Sequence, residues 1–212
     1  MLIKLPKGMT AADYAAEVKK GNLFPEGGED YSGPGLTSPG YTAEMWLRVS
    51  PGEYILVCWN GKHARTTAPH KFTVTSDHVD DDVPRADVVL KLTDYKFELE
   101  GKLRQGPQVI RVETPGPEMH EFDLFRLHDG MTVEDVRRWR KQDDPAAPAP
   151  GEALGGALDS HDLTRAVWLR KNLTPGRYVL HCEMPVEKSA AAASSEITHA
   201  DLGMVKEIEI TD

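Results

Sequence analysis

The stretch PGRYVLHC at residues 175–182 begins with a Pro-Gly turn and continues with β-branched, aromatic and apolar residues, which predicts a β-strand. PGEYILVC at residues 51–58 shares its Pro-Gly, Tyr, Leu and Cys. The similarity extends outward from both stretches and keeps one order along the chain. Residues 2–10 match 124–132, residues 46–48 match 168–170, and residues 63–76 match 199–212. Shared Gly-Met-Thr and Trp-Leu-Arg segments in one order indicate an internal duplication.

The duplication predicts an uneven division of the 212 residues. Residues 86–212 form one complete unit, residues 1–76 match only the second half of such a unit, and residues 77–85 are an acidic linker. Since half a sandwich has little core of its own, three explanations stay open. Met1 is a misassigned start, the chain is a fragment of a longer two-domain protein, or the half-unit packs on its neighbour or on another chain.

Composition excludes several classes of protein. The chain has 34 Asp and Glu against 25 Lys and Arg, a net charge of -9, and no basic block, which argues against a nucleic-acid binder. No apolar run approaches the roughly 20 residues of a membrane span, and the N-terminus has no export signal. Two cysteines are too few for a disulfide scaffold or a four-thiolate zinc site.

Short apolar or alternating runs separated by turn residues predict a mainly β, Greek-key sandwich or barrel. In the complete unit the predicted strands are 87–92, 95–99, 108–113, 122–127, 165–171, 177–182 and 204–211. One helix is inserted in each unit, because Thr-x-x-Asp precedes helical spacing at Thr132 and again at Thr10. Residues 144–156, rich in Pro, Ala and Gly, are expected to be a mobile loop.

Four residues that can bind metals stand at the ends of these strands. His120 precedes strand 122–127, Cys182 ends strand 177–182, His199 follows a loop, and Met204 begins the last strand. One thiolate, two imidazoles and a weak axial thioether are the ligand set of a blue-copper electron-transfer site. The short His-Ala-Asp-Leu-Gly-Met segment can bring His199 and Met204 to one metal.

Together these motifs resemble the cupredoxins, the plastocyanin-like blue-copper superfamily. The resemblance covers residues 86–212, with its second half repeated in 1–76, and rests on three segments: MHEFDL at 119–124, PGRYVLHC at 175–182 and HADLGMV at 199–205. The chain is also similar to uncharacterised bacterial cupredoxin-like proteins that share the helix after GMTVED at 130–135. The resemblance implies one type 1 copper, a redox partner protein, and a periplasmic or extracellular location.

The sequence departs from the cupredoxin pattern in two places. The loop 183–198 between Cys182 and His199 is longer than is usual in the family. The first unit keeps Cys58 and His63 but has Ala68 where Met204 stands, so it is not expected to bind copper. The two cysteines are expected on separate domain cores and not in a disulfide.

Other interpretations stay open. One alternative is that Cys182 is a small core residue. In that case the chain is a metal-free cupredoxin-like binding or structural module. An enzyme is the third choice, because a second copper cluster lacks ligands. Histidines beside the copper thiolate carry electrons to a second copper in multicopper oxidases, but here His181 is expected to be an outward-facing strand residue instead. The leading expectation is one-electron transfer at a copper held by His120, Cys182, His199 and Met204.

Overall fold

The computed structural model describes residues 1–22, 24–58, 68–76, 82–142, 147–160, 162–186 and 197–211. Most of the predicted linker and most of the loop 183–198 lie outside these residues. The described part has two short helices and thirteen strands. The helices are α1 (Ala11–Lys19) and α2 (Val133–Arg140). The strands are β1 (Leu2–Lys4), β2 (Glu29–Asp30), β3 (Glu44–Trp46), β4 (Gly52–Leu56), β5 (His70–Val74), β6 (Val88–Thr93), β7 (Lys96–Glu100), β8 (Gly106–Glu113), β9 (Phe122–Leu127), β10 (Gly151–Ala157), β11 (Val167–Leu173), β12 (Gly176–His181) and β13 (Val205–Ile210).

The second part of the chain is a sandwich of two sheets. One sheet has the order β10-β9-β12-β13, and the other has the order β3-β11-β8-β6-β7. Residues of both sheets form one buried core, in which Leu90, Leu169, Leu124 and Leu180 are each at most 1% exposed. The mainly β sandwich predicted from the strand pattern is confirmed.

Residues 1–76 contribute a smaller sheet of order β2-β1-β4-β5, and they also extend the sandwich. Strand β3 pairs with β11 in antiparallel register, and Trp46 lies opposite Trp168. The pairing continues through Met45 opposite Leu169 and Glu44 opposite Arg170. Residues 44–46 therefore pack on the larger part by continuing one of its sheets.

Both predicted helices are confirmed, and each begins with a capping box. Thr10 and Asp13 exchange hydrogen bonds at the start of α1, and Thr132 and Asp135 do so at α2. Helix α2 buries Val136 against β9 and β12, whose Phe125 and Val179 face it. The helix covers the side of this sheet that faces away from the sandwich core.

The expectation of a loop over 144–156 is wrong for its second half, where β10 pairs with β9. Register shifts between Ala153 and Gly156, and Gly155 has a φ of +76°, so a bulge interrupts the strand. A side chain at Gly156 would collide with the carbonyl of Phe122. The glycines thus allow the two strands to approach closely. From sequence alone, glycines in such a strand look the same as glycines in a loop.

Among the described residues, neither helix is long and apolar enough to cross a membrane.

Candidate metal centre

Three of the four predicted ligands meet in the structure. His120, Cys182 and His199 are each at most 2% exposed, and their donor atoms lie within 4.8 Å of one another. The Nδ1 atoms of His120 and His199 are 2.9 Å apart, and Sγ of Cys182 is 3.6 Å from Nδ1 of His199. Two donor atoms that each lie about 2.0–2.3 Å from one metal ion are less than about 4.6 Å apart. The Nδ1–Nδ1 and Sγ–Nδ1 distances are therefore short enough for each pair to share one ion.

Backbone hydrogen bonds position the turn that carries His199. Ala200 N–H donates to the carbonyl of Cys182 at 2.9 Å, and Cys182 N–H donates to the carbonyl of Met204 at 3.2 Å. The turn closes through Met204 N–H, which donates to the His199 carbonyl at 2.9 Å. Gly203 has a φ of +105°, which the turn requires and which other residues rarely adopt.

Helix α2 supports the same turn through Asp201. Arg137 and Lys141 donate to its carboxylate at 2.7 and 2.9 Å. The Lys141 ammonium, followed by the backbone N–H of Thr198, holds the pKa of Asp201 well below its usual range. The inserted helix therefore contributes directly to the site by fixing the loop between His199 and Met204.

Burial dominates the electrostatics of Cys182 and His120. It raises the pKa of the Cys182 thiol to about 12, although N–H groups of Glu121 and Met184 donate toward the sulfur and oppose the rise. Burial also lowers the pKa of His120, against the attraction of Asp94. The neutral imidazole suits metal binding, whereas the thiol must lose a proton to become a ligand.

Met204 is fully buried and belongs to the same core cluster as Cys182. Its backbone is hydrogen-bonded to both Cys182 and His199, as described above. Its sulfur as an axial ligand stays a prediction.

Three residues near the histidines were not predicted from the sequence. Asp94 Oδ1 lies 3.4 Å from Nε2 of His120, and Glu118 Oε2 lies 3.5 Å from Nε2 of His199. Tyr95 donates its hydroxyl hydrogen to Glu118 at 3.2 Å. Each histidine thus has its Nδ1 toward the cluster and its Nε2 toward a carboxylate. The two-residue turn between β6 and β7 was the only sequence signal for Asp94 and Tyr95.

The first part of the chain does not reproduce this cluster in its described residues. Cys58 is exposed and not on a core, contrary to prediction, whereas Cys182 is buried; no disulfide joins them. Cys58 follows β4 without a counterpart of the 199–204 turn over it among the described residues. Ala68 is exposed, and His63 lies outside the described residues.

The expectation that His181 faces outward to solvent is also wrong. Its side chain does point away from Leu180 and Cys182, but that face is covered, and His181 is 1% exposed. Its ring lies 5.2 Å from that of Phe125, and Nδ1 is 3.3 Å from Oε1 of Glu183. Strand alternation gave the direction of the side chain, and packing beneath α2 decided its burial.

A groove of about 870 Å³ lies beside the centre, between the two parts of the chain. Its walls include Met119, Glu121, Glu183 and Met184, which flank His120 and Cys182 in sequence, and Cys58 from the first part. Burial, followed by the charge of Asp123, raises the pKa of Glu121 to about 8.

Two stacked sheets with a buried His-Cys-His cluster are the arrangement that the sequence resemblance implies. The fold is mainly β, with two stacked sheets, and agrees with that expectation. Among solved structures, auracyanin B is 15% identical with a TM-score of 0.38, and the match covers 64% of this chain and 96% of that one. A multi-copper oxidase and a laccase, both from Pediococcus acidilactici, are 21% and 22% identical, with TM-scores of 0.29 and 0.28.

Each oxidase match covers 66% of this chain, which spans only 28% and 29% of the two oxidases. No protein-family model and no curated protein matches the chain.

Proposed function

We propose that the chain is a copper protein that transfers single electrons at a type 1 centre. The observation that carries this proposal is the convergence of Sγ of Cys182 and the two Nδ1 atoms of His120 and His199 in a buried site. A thiolate and two imidazoles favour copper over hard cations such as Mg²⁺ or Ca²⁺, which prefer oxygen ligands. Copper held there would supply one-electron exchange between its Cu(I) and Cu(II) states.

Each residue has a separate task in this proposal. Cys182 would provide the strong thiolate bond, the two histidines would provide imidazole ligands, and Met204 would add a weak thioether that tunes the reduction potential. The buried cluster excludes bulk water, and the turn tied to Asp201 keeps His199 in place. These residues hold the metal without providing a group that turns over a substrate.

We assign the redox partner to the groove beside the centre, because its walls include the neighbours of His120 and Cys182. The periplasmic or extracellular location belongs to the same proposal and rests on the family resemblance.

The test is metal analysis and visible spectroscopy of protein loaded with Cu(II), compared with Cys182→Ser and Cys58→Ser. One copper per chain and an intense thiolate-to-copper absorption are expected in the wild type and in Cys58→Ser. Both should be absent in Cys182→Ser. Copper that stays bound in Cys182→Ser, or no copper in the wild type, would overturn the proposal.

A second candidate function is a metal-free binding module, which the groove of about 870 Å³ between the two parts favours. The close contact of the two Nδ1 atoms can be an ordinary N–H···N hydrogen bond between the rings. The same metal analysis separates the two functions, since this module binds no stoichiometric copper in any of the three proteins.

A further inference from the structure

The hairpin between β6 and β7 reaches over the metal centre through an unusual turn. Thr93 pairs with Lys96, so Asp94 and Tyr95 are the two residues of the turn. Tyr95 has a φ of +61°, a left-handed conformation that bulky residues rarely adopt and that glycine or asparagine would fill more easily. Strained backbone of this kind is often retained where a side chain is needed in one place.

Both residues of the turn point toward the ligands. Asp94 lies 3.4 Å from His120 Nε2, and a Cβ on Gly116 would stand only 2.6 Å from the same carboxylate oxygen. A larger residue at Gly116 would therefore displace Asp94. The turn and the loop before His120 together give this carboxylate its position.

Tyr95 acts on the other histidine in two ways. Its ring meets the ring of His199 edge-on, with 5.2 Å between centroids. Its hydroxyl lies 3.2 and 3.3 Å from the two oxygens of Glu118, and Glu118 lies 3.5 Å from His199 Nε2. Tyr95 thus holds Glu118 beside the second ligand.

We propose that Asp94 and Glu118 are the outer carboxylates of the centre, that Tyr95 positions Glu118, and that this set biases the site toward the divalent state of its metal. The inference rests on the proposed function. Asp94 is hydrogen-bonded to His120 Nε2, and a carboxylate that accepts the Nε2–H of a ligating histidine orients the ring and raises its basicity. Glu118, 3.5 Å from His199 Nε2, acts through its charge. Two negative charges near the site also favour Cu(II) over Cu(I), because the interaction grows with the charge of the metal.

Partial exposure limits the size of this effect. The side chains of Asp94 and Glu118 are 44% and 35% exposed, so solvent and salt screen their charges. A purely structural role would not depend on salt in this way. The effect of each carboxylate on the reduction potential should therefore shrink as ionic strength rises.

The experiment tests the variants Asp94→Asn, Glu118→Gln and Tyr95→Phe. The control is Glu98→Gln, at an exposed position of β7 in the same hairpin. Affinities for Cu(II) and for Cu(I) are measured separately by competition with chelators, and the reduction potential is measured at low and high salt. Asp94→Asn and Glu118→Gln should each weaken Cu(II) about 10- to 100-fold. The affinity for Cu(I) should fall less. Each tenfold excess in the loss of Cu(II) affinity over the loss of Cu(I) affinity raises the reduction potential by about 59 mV.

Tyr95→Phe keeps the ring on His199 and removes only the hydroxyl, so it should show part of the Glu118→Gln effect. In the double variant Tyr95→Phe/Glu118→Gln the tyrosine change should add nothing. Variants equal to Glu98→Gln, or an equal loss for both copper states, would overturn the inference while the proposed function stands. A wild type that binds no copper through Cys182 would instead overturn the proposed function, and the inference with it.

Discussion

Strands β4 and β12 begin alike and end differently. Each carries a buried tyrosine whose hydroxyl donates to the carbonyl four residues earlier, from Tyr54 to Ser50 at 2.6 Å and from Tyr178 to Thr174 at 2.8 Å. Cys58 and Cys182 follow these strands and align with each other when the two similar sequences are compared. Yet Cys182 is fully buried beside His120 and His199, and Cys58 is exposed.

The difference shows what a strand can and cannot provide. The strand places a cysteine at its end, but the elements packed over that end decide whether the thiol is buried and surrounded by other donors. At Cys182 these elements are the loop with His120 and the turn from His199 to Met204, which α2 holds through Asp201. A metal centre is thus a property of the covering loops as much as of the strand.

The largest expected effect separates the two cysteines by metal-dependent stability. If copper binds at Cys182, free copper at a thousand times its Kd raises the free energy of unfolding by about 4 kcal/mol, because it binds only the folded chain. Cys182→Ala should lose this gain, and Cys58→Ala should keep it. Thermal unfolding with and without Cu(II) measures both, and an equal loss in the two variants would remove the distinction between the sites.

Alkaline pH should reveal the burial of the Cys182 thiol in the metal-free protein. Burial raises its pKa in the folded chain to about 12, so the unfolded chain loses this proton first as pH rises. Stability is therefore retained below about pH 9 and falls by about 1.4 kcal/mol per pH unit between 9 and 12.

Denaturant unfolding of wild type and Cys182→Ser from pH 8 to 11 measures this difference. Cys182→Ser should lack the alkaline loss, which reaches about 3 kcal/mol at pH 11 by the same slope. Cys58→Ser is the control and should follow the wild type. Parallel curves for wild type and Cys182→Ser would contradict the burial of the thiol.

Among the contacts between the two parts, those of Arg165 should contribute most to the free energy of unfolding. It donates to the Asp30 carbonyl at 2.7 Å and to Glu29 at 2.6 Å, and its guanidinium lies 3.6 Å from the centre of the Tyr31 ring. Arg165→Ala removes both of these hydrogen bonds and the ring contact and should cost about 2 kcal/mol. Glu29 keeps Lys4 and Tyr31 as donors, and the Asp30 carbonyl keeps Ser160.

Arg170 is the matched control for that change, because it also joins the two parts but is 54% exposed and lies 3.7 Å from Glu44. Arg170→Ala should cost less than about 0.5 kcal/mol. Equal unfolding midpoints for the two variants would show that Arg165 does not hold the parts together.

Local sequence signals predicted much of this fold because they act over a few residues. Threonine caps marked both helices, and strand 122–127 was predicted at the observed bounds of β9. The sequence allowed three ligands to be grouped, because each stands near a strand end and a thiolate with imidazoles is a known metal-binding set. These are His120, Cys182 and His199. The carboxylates at Asp94 and Glu118 could not be grouped with them, since acidic residues in turns are usually solvated and only the tertiary fold brings them to the histidines.

Long-range packing also explains the errors. The glycines of β10 favour a loop in isolation, and only the neighbouring Phe122 shows why they are needed in a strand. His181 alternates as predicted, but its exposure depends on packing on Phe125 beneath a helix more than forty residues earlier in the chain. Cys58 follows a strand similar in sequence to the one before Cys182, and no local pattern reports whether the end of a strand is covered.

The two capping boxes offer the finest comparison between the parts. Thr132→Ala and Thr10→Ala remove the same hydrogen bonds to Asp135 and Asp13, and each should cost about 1 kcal/mol of stability. Only α2 also holds the metal-site turn, through Arg137 and Lys141 on Asp201. Thr132→Ala should therefore speed copper loss to a chelator, whereas Thr10→Ala should leave that rate unchanged. Equal rates in both variants would show that the start of α2 has no influence on the centre.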